Sequence, residues 1–168
     1  MEKPVLWSGK KILVAYYSFS GNTRFVAEEI QKQTYGEIWE IRPQKSYPMQ
    51  YNACVEQARK EIQAGFQPEL AVSLKNLSDY DVIFVGSPNW WSTIAPPVAT
   101  FLSQGDFSGK IIIPFITHGG GGMARCAEAI RKRSPSSQHL SGKAFRGENI
   151  RRESDTIRQW LASVGRNG

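Results

Sequence analysis

Histidine, cysteine and long apolar runs are scarce in this 168-residue chain, and each scarcity excludes something. Two histidines, His118 and His139, and two cysteines, Cys54 and Cys126, are all it has. Neither type falls in a C-x-x-C pair or a Cys/His spacing that would hold a metal. The cysteines therefore read as buried or half-buried free thiols. No stretch approaches the ~18 apolar residues of a membrane span. Residues 1–9 lack the apolar segment of a signal peptide, so a cytoplasmic protein is expected. Repeats, low-complexity tracts and linkers are also missing. The chain reads as one domain over residues 1–168, with 1–9 as an N-terminal extension. Charge is not scarce: the formal net charge is +6. The cations are spread out and are densest at Arg131-Lys132-Arg133 and Arg151-Arg152. They read as a solvated face or as a docking patch for an anion. With no accompanying motif, nucleic acid is not expected as a partner.

What the chain does have is an alternation of short apolar runs with longer amphipathic ones. Strands are expected at 11–16, 37–41, 82–86 and 110–117, with a weaker one at 140–145. Helices are expected at 23–33, 51–64, 97–102, 123–133 and 150–164. The runs Val82-Ile83-Phe84-Val85 and Ile111-Ile112-Ile113 are apolar on both faces, as central parallel strands are. Pro114 conflicts with a regular central strand and predicts a bulge or a bent end. Five βα units in one chain give an α/β fold, a doubly wound parallel sheet with helices on both faces.

In such a sheet ligands lie beyond the carboxyl ends of the strands, so the segments after the strands matter most. The first is Ser18-Phe19-Ser20-Gly21-Asn22-Thr23. Three hydroxyls, the Asn22 amide and the N–H groups of the following helix can all donate to one anion, and Gly21 lets the backbone approach it. The segment has no Lys after a Gly and no G-x-G-x-x-G, which excludes the triphosphatase and dinucleotide loops. A site for one phosphate remains, or else a Ser/Asn-rich turn with an N-cap. After the third strand come Pro88, Asn89, Trp90 and Trp91. Adjacent indoles in a loop need a flat apolar partner, either the protein's own core or a ligand ring. After the fourth come Thr117, His118 and Gly119, followed by three more glycines. These fit close passage of a ligand, or a flexible turn. His118 is a candidate catalytic group, as hydrogen-bond donor or general acid to a bound ligand, or else a structural histidine. One phosphate, one flat ring and no metal point to a mononucleotide with a large ring, and flavin mononucleotide (FMN) fits best.

With those segments the chain resembles the flavodoxin family. The likeness rests on Ser18-Phe19-Ser20-Gly21-Asn22-Thr23, on Asp81-Val82-Ile83-Phe84-Val85-Gly86-Ser87-Pro88-Asn89-Trp90-Trp91 and on Gly109-Lys110-Ile111-Ile112-Ile113-Pro114-Phe115-Ile116-Thr117-His118-Gly119. It is nearest to a flavodoxin-like subfamily with a Tyr-Pro-x-x-Tyr segment, here Tyr47-Pro48-Met49-Gln50-Tyr51. The resemblance implies a sheet in the order 2-1-3-4-5 with FMN at its switch point. It gives Ser18, Ser20, Gly21, Asn22 and Thr23 the phosphate. It sets Pro88, Asn89, Trp90 and Trp91 along the ring, with Thr117, His118 and Gly119 beyond. Two departures stand out. Electron-carrier flavodoxins are typically acidic, and this chain is basic. Their second loop often has a Gly after the Trp, where a peptide flips on one-electron reduction. Trp91-Ser92 stands there instead, and bulky residues disfavour φ > 0. Two-electron cycling is therefore expected, with the basic charge raising the flavin potential. The expected function is an FMN-dependent oxidoreductase passing electrons from NADH or NADPH to a quinone-like acceptor. The alternative is a one-electron carrier to a redox protein, or a flavin-binding module without turnover. Flavin sites of quinone-reductase relatives often lie at subunit edges, which allows a homodimer.

Overall fold

The strand at β1 (Ile12–Tyr16) is buried at all five positions, as a run apolar on both faces requires. In the computed structural model, which describes residues 7–167, β1 is an inner strand of a parallel sheet, paired on both sides. It is followed by α1 (Asn22–Thr34), β2 (Glu37–Glu40) and α2 (Tyr51–Ala64). Next come β3 (Val82–Trp90), β4 (Thr93–Ile94), α3 (Pro96–Gln104) and β5 (Ile111–His118). The chain continues through α4 (Cys126–Arg133), β6 (Gln138–His139), β7 (Lys143–Arg146) and α5 (Ser154–Asn167). The sheet runs β2-β1-β3-β5, with β6 and β7 following one another along the outer side of β5. With β6 and β7 as two halves of one broken strand, this is the expected order, and β4 is an addition.

Period-two alternation sorts the strands into two cores. Leu13, Ala15, Ile83, Val85, Ile112 and Ile116 face one layer, which also holds Cys54, Val98, Leu102, Cys126 and Ile130 from α2, α3 and α4. Val14, Val82, Phe84, Ile113 and Phe115 face the other, with Val26, Ile30, Ile157 and Leu161 from α1 and α5. Each such aliphatic side chain, once buried, contributes about 1.5–3 kcal/mol. Both cysteines are buried free thiols. Trp7, just before β1, is fully buried and packs on Phe84 with ring centroids 5.5 Å apart. Among the described residues no helix is long and apolar enough to cross a membrane.

Pro114 breaks the edge strand as its chemistry dictates. The Ile112 carbonyl accepts from the Leu140 N–H at 3.0 Å. In a strand the groups two residues on face the same side, so position 114 should offer an N–H to that edge, and proline has none. Between the pairs Ile112↔His139 and Phe115↔Lys143, β5 advances three residues and the edge chain four. The extra residue is a bulge. Gly142 lies in it, and a Cβ there would stand 2.2 Å from the Pro114 carbonyl oxygen.

Several boundaries differ from expectation. β3 runs four residues beyond Gly86 and folds back through β4. α4 begins at Cys126 rather than 123, because the glycine run and Ala124 (φ 44°) hold the chain out of helix. Residues 150–152 form a 3₁₀ turn after Asn149 (φ 61°), and the last helix starts at Ser154.

Candidate functional site

The first loop folds on its own hydroxyl: the Gly21 N–H donates to Ser18 Oγ at 3.0 Å. Gly21 has φ 101°, a conformation that favours glycine, and α1 starts immediately after it. No side chain caps this start, and the first turn has no acidic residue. The Phe25 N–H is the first to find an intrahelical carbonyl, that of Gly21 at 3.0 Å. The N–H groups of Asn22, Thr23 and Arg24 thus lie at the positive end of the dipole without an intrahelical acceptor. Ser18 and Asn22 are half-buried and Ser20 is exposed. Thr23 is different. It is buried, and its hydroxyl meets that of Thr117 at 2.7 Å, a contact that joins the first loop to the end of β5.

A fourth segment, after β7, also arrives here and was missed by sequence reasoning. The Gly147 N–H donates to the His118 carbonyl at 2.8 Å. A Cβ on Gly147 would stand 2.4 Å from Asn22 Nδ2, so only glycine leaves the Asn22 amide where it is. The available signal was a glycine two residues beyond the weakest expected strand, at the edge of the sheet where ligands bind.

The second segment is a strand and hairpin instead of a loop. Asn89 pairs with Ile94 and Trp90 with Thr93, leaving Trp91 and Ser92 as a two-residue turn. Their φ values are 55° and 69°, the pattern of a primed hairpin turn. The expectation that this bulky pair avoids φ > 0 is overturned. Left-handed backbone costs a non-glycine residue about 1–2 kcal/mol. Two bonds offset this: Trp91 Nε1 donates to the Val55 carbonyl at 3.0 Å, and the Arg125 N–H to the Ser92 carbonyl at 2.9 Å. Ser87, fully buried, anchors the return by accepting from the Ala95 N–H at 2.9 Å.

The two tryptophans have separate surroundings. Trp90 is half-buried and meets three rings edge-on: Tyr47 at 5.0 Å, Tyr17 at 5.6 Å and Phe19 at 5.9 Å. Trp91 is 47% exposed. Tyr47, from the Tyr-Pro-x-x-Tyr segment, donates its hydroxyl to Glu61 Oε1 at 2.5 Å. Burial, and after it Glu61, pushes the Tyr47 phenol far above its ordinary pKa, and burial does the same for Tyr17. Both rings stay neutral.

The third segment is tied to the second: Asn89 Nδ2 donates to the Gly122 carbonyl at 2.9 Å. His118 Nδ1 accepts from the Gly120 N–H at 3.0 Å. Its neutral tautomer therefore carries the proton on Nε2, which is left as a donor. Burial, and then the nearby Arg146 charge, lowers the His118 pKa. Protonating Nδ1 would also cost the Gly120 bond. His118 is thus a neutral hydrogen-bond donor at pH 7.

Residues 110–152, which hold the third and fourth segments, carry nine basic and two acidic residues, while the rest of the chain has twelve and thirteen. The net positive charge therefore resides on this flank. Among the described residues only Lys132 of those nine cations forms an ion pair, with Glu128.

An uncapped helix start ringed by neutral donors, beside an aromatic hairpin at the carboxyl ends of a doubly wound sheet, defines a protein that holds a phosphorylated ligand with a flat ring. The family model for flavodoxin matches residues 11–164, and the chain belongs to the flavodoxin family. Among solved structures it is similar to a candidate flavoprotein from Bacteroides uniformis, with 29% identity, a TM-score of 0.81 and coverage of 91% of this chain and 98% of that one. A candidate flavoprotein from Bacteroides eggerthii matches at 28% identity and a TM-score of 0.81, over 93% and 98% of the two chains. A flavoprotein from Lactobacillus acidophilus, solved in complex with FMN, matches at 25% identity and a TM-score of 0.72, over 89% and 99%.

Proposed function

We propose that this chain binds FMN and works as an oxidoreductase, taking electrons from a reduced nicotinamide donor and passing them to a quinone-like acceptor. The observation that carries the binding is the start of α1, with no cap, no acidic residue and three N–H groups lacking an intrahelical acceptor. In a protein that bound no anion, an Asp or Ser cap would stabilise this helix by about 1 kcal/mol. The Lactobacillus relative was solved with FMN, and the donor set here suits the same phosphate. Ser18, Ser20, Asn22 and the first-turn N–H groups would hold the phosphate. Gly21 and Gly147 give the backbone room, and Thr23, paired with Thr117, fixes the spacing of two segments. Pro88, Asn89, Trp90 and Trp91 would flank the ring on one side, and Thr117, His118 and Gly119 on another.

FMN supplies the redox chemistry. The chain's residues bind it, orient it and set the surrounding charge. The cationic flank favours negative charge at the site and attracts anionic donors. His118 offers Nε2–H to the acceptor as a fixed donor. Steady-state assays of the FMN-loaded protein with NADH or NADPH and a series of quinones test the reading. Turnover that falls about tenfold in His118→Ala, with FMN still bound, supports it. No reduction by either donor refutes the oxidoreductase.

The hairpin favours a second reading. Its turn already holds φ > 0 at Trp91 and Ser92, so bulk is no obstacle to a peptide rearrangement there. A one-electron carrier whose cationic flank meets acidic partners would show two resolved one-electron steps on slow reduction and negligible direct turnover with nicotinamides.

A further inference from the structure

The last residues of β5 and β7 stand side by side. His118 pairs with Arg146 in the parallel register, one step beyond Thr117 and Phe145. Alternation along the strands puts both side chains on the face that carries α3 and α4. Phe145 is buried in the α1/α5 layer, while Ala144, two residues before Arg146, packs against the opposite core. The two side chains also meet one residue in common. The Gly120 N–H donates to His118 Nδ1 at 3.0 Å, and a Cβ on Gly120 would stand 3.8 Å from Arg146 Nη2. Arg146 is also the charge that, after burial, lowers the His118 pKa. Arg146 is exposed, and among the described residues it forms no ion pair. The glycine run leaves room beside it. Gly119 and Gly122 have open space where a Cβ would stand, and Gly121 lies against the Asn89 amide. The bond from that amide to the Gly122 carbonyl ties this rim to the hairpin that carries Trp90.

We propose that Arg146 selects an acceptor that carries its own negative charge: an acidic quinone whose anionic substituent meets the guanidinium while a ring carbonyl takes the His118 Nε2–H. The proposal rests on the redox reading above and names the class of acceptor for it. His118 is a neutral donor, so by itself it does not separate a charged quinone from an uncharged one. The cation beside it does, because its field at this rim is cancelled by no paired carboxylate. The planar guanidinium fork also matches an oxyacid group. The fold argues against the other obvious role for Arg146, as partner of a phosphate at the start of α1. That helix packs on the opposite face of the sheet, with Phe145, and it is Thr117, not His118, that meets its Thr23.

The test has two arms, both on FMN-loaded protein. The first compares kcat/KM for 1,4-naphthoquinone-2-sulfonate and for uncharged 1,4-naphthoquinone. The sulfonate alters the quinone's potential as well as its charge, so the quantity read is the change in this ratio on substitution. The ratio should fall about fivefold in Arg146→Gln and be largely kept in Arg146→Lys. It should stay the same in Arg131→Gln, which removes an equal charge from the last turn of α4. The second arm needs no turnover: NMR of the His118 ring during titration with benzoate and with benzamide, which share a shape and differ in charge. Benzoate should give saturable shifts that weaken about fivefold in Arg146→Gln, and benzamide should respond alike in both proteins. A ratio unmoved by Arg146→Gln, an equal fall in Arg131→Gln, a change confined to the KM of the nicotinamide donor, or benzoate acting no differently from benzamide would each overturn the proposal. Flavin retention is read separately, from the absorbance of gel-filtered protein. Protein that holds no flavin removes the redox reading and this proposal with it, whereas loaded protein without an Arg146 effect sinks the proposal alone.

Discussion

The two ends of the central strands use their polar groups in opposite ways. At the amino end the chain closes on itself. The Lys11 N–H donates to Asp81 Oδ2 at 2.9 Å, the Asp81 N–H to the Lys11 carbonyl at 2.8 Å, and the Ile111 N–H to the Asp81 carbonyl at 3.0 Å. Lys110 Nζ reaches the Tyr80 carbonyl at 2.7 Å, and the Tyr80 hydroxyl donates to Glu37. Burial, and then Glu37, pushes the Tyr80 pKa up to about 12. At the carboxyl end a helix starts without a cap, His118 keeps Nε2–H as a donor, and two residues of a hairpin turn hold φ > 0. One end is built for stability. The other holds donors in reserve, and donors in reserve are what an incoming phosphate needs.

If that division is real, substitutions at the two ends should separate stability from FMN affinity. The largest effect is expected at Trp7. Trp7→Ala should cost about 3–5 kcal/mol in urea unfolding while FMN affinity of the folded protein stays the same. Its Nε1 is buried without a hydrogen-bond partner, so Trp7→Phe should be far milder. A loss of FMN affinity larger than the loss of stability would break the comparison. Thr23→Val comes next. It strands the Thr117 hydroxyl in the interior, at about 1–3 kcal/mol by thermal or urea unfolding. Adding Thr117→Val should recover part of that, and a double variant no better than the single would contradict the pairing.

Gly147→Ala sharpens the contrast from the other side. The added methyl must displace the Asn22 amide, so FMN titration should show about tenfold weaker binding, ~1.4 kcal/mol, with the unfolding midpoint little changed. The smallest effect is the pH dependence. The folded pKa of His118 is lowered, so the unfolded state binds the proton more readily. Its contribution to stability is complete above the unfolded value of about 6.5 and is lost as pH falls through the folded value. Unfolding curves across that range should be flatter on the acid side in His118→Gln, and an unchanged profile would remove this assignment.

Much of this could be read from residue order, for reasons that are local. The α2 bounds, 51–64, were legible because Gln50 accepts from the Ala53 N–H and Gly65 takes the left-handed cap. The bulge was legible because a proline lacks an N–H in any context. The turn over Ser18, Gly21 and Asn22 and the helix start after it were legible because they are built within six residues. The hairpin was hidden because Trp91-Ser92 has none of the Gly or Asn that marks a primed turn. Its conformation is held by Val55 and Arg125, which are far away in sequence. Thr23 falls at the start of α1 as expected, but its hydroxyl partner lies 94 residues away and could not be read from the loop. Gly147 follows a four-residue edge strand that ends at Arg146, too short to announce what comes after it.

The most direct test of the central claim is an equilibrium titration of the flavin-free protein with FMN and, separately, with riboflavin, which has the same ring and no phosphate. If the reserved donors at the start of α1 hold a phosphate, FMN binds one per chain and riboflavin binds on the order of a hundredfold more weakly. Equal affinities, or no binding of FMN, would contradict the account.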